Sequence, residues 1–242
     1  MVDPLAAAVD ALPLVDHHVH GVAAADLDGA AFAAGLTESA WPAPPGVSFL
    51  DSQLGFAVRR WCAPVLDLPP HAEPAAYLAR RRELGAVEVA RRFLVASGVG
   101  WFLVDTGYGP TPGMGPAEMA EASGARAAEV VRLESVAEEV AAGAPAAAGF
   151  ADSFAAALDR RCRHAVGLKS VIAYRHGLDF DPEPPGPAEV RRAAGEWLAA
   201  GGRLTDPVLL RHLLWAGVER GLPLQFHVGY GDPDLPLHRR DP

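Results

Sequence analysis

Five short runs dense in β-branched, aromatic or leucine side chains, separated by one-sided helical patterns, restrict this chain to a parallel α/β architecture. The runs span residues 14–20, 101–106, 129–134, 166–173 and 224–228, and each reads as a buried strand. The clearest helical pattern covers 207–220. Asp206 suits its N-cap, Pro207 the first helical position and Gly221 its end, and Leu209, Leu210, Leu213, Leu214 and Val218 share one face. A second covers 187–200, with Val190, Ala194, Trp197 and Leu198 on one side.

The stretch between the first two strands is about 80 residues, longer than a crossover needs. It carries helical patterns near 50–60, 75–83 and 86–96, and residues 22–97 read as an insertion within a single domain spanning 1–242. The 242 residues, half of them hydrophobic, are enough for a buried core. A net charge of -9 argues against a phosphate-backbone binder. No apolar run approaches the length of a membrane span, and the N-terminus lacks the pattern of a secretory signal. Two cysteines, Cys62 and Cys162, fit reduced thiols in a cytoplasmic protein, and neither has a partner motif for a thiol nucleophile.

The strongest chemical signal is Val15-Asp16-His17-His18-Val19-His20-Gly21. Strand alternation puts His18 and His20 on one face and His17 on the other. Two imidazoles so spaced at a strand end can grip one metal ion, and Gly21 lets the chain turn away. The competing reading is a polar strand that happens to hold three histidines. His227 follows the apolar Leu224-Gln225-Phe226 and precedes Val228-Gly229, at the carboxyl end of the last strand, where parallel α/β proteins place their chemistry. A hydrogen-bonded core histidine is the alternative there.

Lys169 is the sequence's single lysine; every other member of the Lys plus Arg count of 21 is arginine. In a chain that uses arginine wherever a generic cation serves, a lone lysine inside the apolar strand 166–173 marks a place where arginine fails. It could be carboxylated to bridge two metals, hold a substrate carboxylate as a cation, pair with a buried acid, or reach out to solvent. By alternation it shares a face with Val171, Ala173 and Arg175, and Arg175 is either a substrate-binding cation or half of an ion pair. Asp105 and Glu134 fall at the ends of the second and third strands, as candidates for the same mouth or as caps. Asp232 and Asp234 follow His227 in a loop, as substrate contacts or turn residues. His71, His164, His176, His212 and His238 belong to no constellation.

With these three strands in this order, the chain resembles the amidohydrolase superfamily, and more narrowly the amidohydrolase-related branch that includes domains fused to glutamine-synthetase-like proteins. The resemblance implies a (β/α)8 TIM barrel, with about five of its eight βα units present, and a divalent metal at the strand ends, most commonly zinc, as one or two ions. It implies His18, His20 and His227 as ligands and places Lys169 where binuclear members offer a carboxylated lysine. It further implies hydrolysis of an amide-type carbon–nitrogen bond by metal-activated water. Related branches decarboxylate small carboxylates instead, and a non-catalytic remnant binding a ligand or partner is the reading of a different kind. The family pattern also has an aspartate at the end of an eighth strand, and Pro242 comes 15 residues after His227. At roughly 30 residues per βα unit the expectation is a chain truncated at its C-terminus, inactive or oligomeric by itself, or partnered by its missing half, with a small molecule as substrate.

Overall fold

The computed structural model describes residues 4–37, 39, 41–108, 113–229 and 237–239, apart from the side chains of Asp10 and Leu237. Five strands alternate with helices: α1 (Pro4–Asp10), β1 (Leu14–His20), α2 (Gly29–Ala34), α3 (Gln53–Ala57), α4 (Ala63–Val65), α5 (Pro74–Leu84), α6 (Ala86–Ala96), β2 (Val99–Asp105), α7 (Pro116–Ser123), β3 (Arg126–Arg132), α8 (Leu133–Ala142), α9 (Phe150–Cys162), β4 (Ala165–Ser170), α10 (Ile172–Arg175), α11 (Pro187–Ala200), α12 (Pro207–Val218) and β5 (Leu224–Phe226). The strand order is β1-β2-β3-β4-β5, and β4 runs parallel to both β3 and β5.

This sheet corrects the expected (β/α)8 barrel. Among the described residues there are five strands and no closed eight-stranded cylinder, because β1 and β5 stand at the two ends of the order instead of being joined through further strands. The same position explains a second difference. Strands 14–20 and 224–228 read as buried, yet Leu14, Val15, Phe226 and Val228 are exposed, since an end strand has a neighbour on one side only. The segment between β1 and β2 folds largely as short helices, α2 to α6, with a π turn at Val58–Cys62.

The chain divides into two compact units, one of Met1–Phe102 with Pro110–Ala127 and the other of Leu103–Gly109 with Ala128–Pro242. In the first, Ala63, Leu66, Tyr77 and Val89 form a small core. The Arg81 guanidinium stacks over Phe32 and Tyr77 beside it, at 4.7 and 5.8 Å. What Gly21 supplies is space. A Cβ there would strike the Met114 carbonyl, and the Met114 N–H donates to the Val22 carbonyl at 2.8 Å.

In the second unit α8, α9, α11 and α12 share one core with β3 and β4 around Phe150, Phe154, Leu168, Leu209 and Leu213. Phe150 meets Phe154 with rings nearly parallel at 6.4 Å and Trp197 edge-on at 5.7 Å. The α12 helix starts as the sequence predicts. The Asp206 carboxylate accepts from the Leu209 N–H at 3.0 Å, Pro207 follows it, and the chain leaves through Gly221 at φ +66°. Asp206→Ala is expected to cost about 1 kcal/mol, read as a shift in the urea midpoint with an unchanged slope.

Candidate functional site

In the first unit, β1 delivers His18 and His20. Their ring centroids lie 6.2 Å apart with planes at 88°, so alternation has brought both imidazoles to one face as predicted. His18 is exposed and His20 half-buried. The Asp16 carboxylate accepts the His18 N–H at 3.1 Å and pins the backbone between them. Two imidazoles on one tetrahedral zinc, each bonded at about 2.0–2.1 Å, have centroids roughly 5 Å apart. The pair stands about 1 Å wider than that, so small side-chain movements would bring both rings onto one divalent ion. Among the described residues no group of three or more His, Cys, Asp or Glu side chains is arranged to hold a metal.

In the second unit, β2, β3 and β4 end on a cluster of charge. Lys169 is buried to 1% exposure, and its Nζ lies 2.9 Å from Asp105 Oδ2. The same oxygen takes Arg132 Nη2 at 2.5 Å, and Oδ1 accepts the Gly107 N–H at 2.9 Å. Strand register causes this: Arg132 stands opposite Lys169. Burial pushes the Asp105 carboxyl up, but Arg132 and Lys169 together outweigh it and hold it below its ordinary value. Burial pulls the Lys169 ammonium down, against the opposing pull of Asp105. Of the roles open to Lys169, pairing with a buried acid is the one this geometry contains.

Glu134 is fully enclosed. It is the second residue of α8, not the last of a strand, because the chain turns helical at Leu133. Its Oε1 accepts from Ser170 Oγ at 2.6 Å and from the Val171 N–H at 2.9 Å, while Oε2 is buried without a hydrogen-bond partner among the described residues. Burial raises its pKa above the usual carboxylate range, more than the Ser170 hydroxyl and the Arg175 charge lower it.

Arg175 leaves the face predicted for it. Strand β4 stops at Ser170, and Ile172–Arg175 is one helical turn. Its guanidinium pairs with Glu138 and donates to the Leu204 carbonyl at 3.2 Å, which is the ion-pair alternative. His227 lies just past β5, its ring edge-on to Tyr174 at 4.7 Å and 75°. Gly229 lies so close to the Tyr174 hydroxyl that a Cβ would strike it. Asp232 and Asp234 lie outside the described residues.

Sequence reasoning passed over Arg132, Ser170 and Tyr174. Arg132 carried a usable signal, a charge closing the apolar run Val130-Val131, but arginine is too common in this chain to stand out. A cavity of about 440 Å³ opens among α9, α11 and α12, lined in part by His212 and Trp215. None of the strand-end residues lines it, so it is separate from this chemistry. Burial pushes the Cys62 and Cys162 thiols up, away from the thiolate a nucleophile needs.

A solved structure from Lactobacillus casei ATCC 334, provisionally named a metal-dependent hydrolase, superposes on this chain with a TM-score of 0.74 and 27% identity. The likeness covers 99% of this chain and 64% of that one, so the chain spans about two thirds of the length of the structure it matches. The two share a fold throughout the present chain. No family model matches the sequence, and no curated protein matches it. No helix among the described residues is long and apolar enough to cross a membrane.

Proposed function

We propose that this chain carries metal-binding and polar residues of a metal-dependent hydrolase acting on an amide-type carbon–nitrogen bond. The observation that carries the reading is the His18–His20 pair, two imidazoles on one strand face within a small side-chain movement of sharing one ion. The Lactobacillus casei neighbour, provisionally named a metal-dependent hydrolase, supports the hydrolase part of the reading across almost the whole chain.

His18 and His20 would hold the ion, and on the sequence reading His227 is a third imidazole. Zinc is the default for such ligands. A divalent metal of this kind lowers the pKa of water to about 7 and polarises a carbonyl. The chain's own groups do the rest. Asp105 holds Lys169 and Arg132 in one buried cluster at the ends of β2, β3 and β4, and the net positive charge of that cluster favours, without contact, a substrate oxygen that gains negative charge. Glu134, whose burial favours its neutral form, can hold a proton. Asp232 is proposed as a substrate contact in the segment after His227.

The test is elemental mass spectrometry on protein purified without chelator, followed by assays on small amides with and without added zinc. About one zinc per chain with amine release supports the reading. Folded protein that neither retains nor takes up zinc overturns it, and release of carbon dioxide from carboxylates instead of amine transfers the site to decarboxylation.

A further inference from the structure

Glu134 is a fully buried acid whose hydrogen bonds go to residues next to candidate site residues, Ser170 and Val171 beyond Lys169. Its Oε1 gathers the turn that follows β4: Ser170 Oγ donates to it at 2.6 Å and the Val171 N–H at 2.9 Å. The Ile172 N–H donates to Ser170 Oγ at 3.1 Å, which closes the turn. Two routes then lead to His227. The Ser170 carbonyl accepts the His227 N–H at 2.9 Å, in continuation of the Ser170–Phe226 register. The Val171 carbonyl accepts the Tyr174 N–H at 2.9 Å, and the Tyr174 ring lies edge-on against the His227 imidazole. One carboxyl oxygen on α8 is thus linked through Ser170 and Val171 to both the backbone and the ring surroundings of a histidine just past β5.

We propose that Glu134 is the positioning residue for His227, acting through Ser170 and Tyr174. A buried acceptor that takes two donors fixes a turn in one geometry, and outer partners of this kind commonly set ligand orientation. The proposal rests on His227 being a functional side chain, but not on metal or activity being found.

The test is NMR of the His227 ring protons in the full-length, metal-free protein, where the Tyr174 ring current displaces them. Glu134→Ala is expected to remove most of that displacement and leave the exposed His164 signal in place. Glu134→Gln keeps the accepting oxygen and is expected to restore the wild-type shifts. Ser170→Ala removes the hydroxyl donor alone and is expected to produce part of the Glu134→Ala change; it also serves where Glu134→Ala fails to fold. Unchanged His227 signals in a folded Glu134→Ala or in Ser170→Ala would overturn the proposal. So would a Gln variant whose His227 shifts match those of the Ala variant, since the accepting oxygen alone would then not hold the turn. Failure of the hydrolase reading would appear in zinc content and amine release and would leave these shifts untouched.

Discussion

Replacing His18 and His20 together by alanine is expected to drop bound zinc from about one equivalent to less than a tenth and to leave the fold standing. The two halves of that expectation have different causes. A metal held by neutral imidazoles has no substitute when they go. Even outer partners of metal ligands are worth about 10–100-fold in affinity or activity, so losing two ligands should reduce hydrolysis by at least the upper figure. The fold survives because His18 is exposed and His20 half-buried. Substitutions at such positions usually change stability by about 0.5 kcal/mol or less. His17→Ala, on the opposite face of the strand, is the control and should retain its zinc. Retention of zinc by the double variant, measured on protein of unchanged Tm, would remove the β1 pair from the site.

The second large effect is on stability. Asp105→Ala leaves Lys169 and Arg132 as two buried cations without their shared carboxylate. Breaking a buried pair this way costs about 3–5 kcal/mol, which should lower Tm by about 10 °C in a chain of this size. The effect has a pH signature. The folded-state pKa of Asp105 is depressed, so between that value and the ordinary one, about 3.9, the unfolded chain binds more protons and stability rises with pH. The contribution is present in full above the ordinary value and lost as pH falls through the folded one. Thermal unfolding of wild type and Asp105→Asn across this range should give a Tm gap that is constant near neutrality and closes in acid. A gap that ignores pH would mean that the carboxylate charge is not what stabilises the cluster.

How far the sequence reveals this molecule depends on whether the deciding interaction is local. The α11 and α12 helices are legible because Pro187, Asp206 and Pro207 act on their own first turns. The ends of β3 and β4 are not. Apolar residues continue past both strand ends, Leu133 after Arg132 and Val171-Ile172-Ala173 after Ser170, and an apolar run does not distinguish buried strand from buried helix. That ambiguity misplaced Glu134 as a strand end and put Arg175 on the wrong face. Burial of β1 and β5 could not be read at all, because it depends on what lies beside them in the sheet. The burial of Lys169 was legible from its solitude among arginines. Its neighbour Arg132 was hidden by that same abundance.

The enclosure of Lys169 also makes the chain its own labelling reagent for unfolding. A folded molecule presents no ε-amine to an amine-reactive dye, because the single lysine is closed in at 1% exposure against Asp105. Opening of the β4 region creates one such target at a known address. Side-chain acylation, located by peptide mass mapping, therefore counts opening events at one site, with no engineered probe and no background from other lysines.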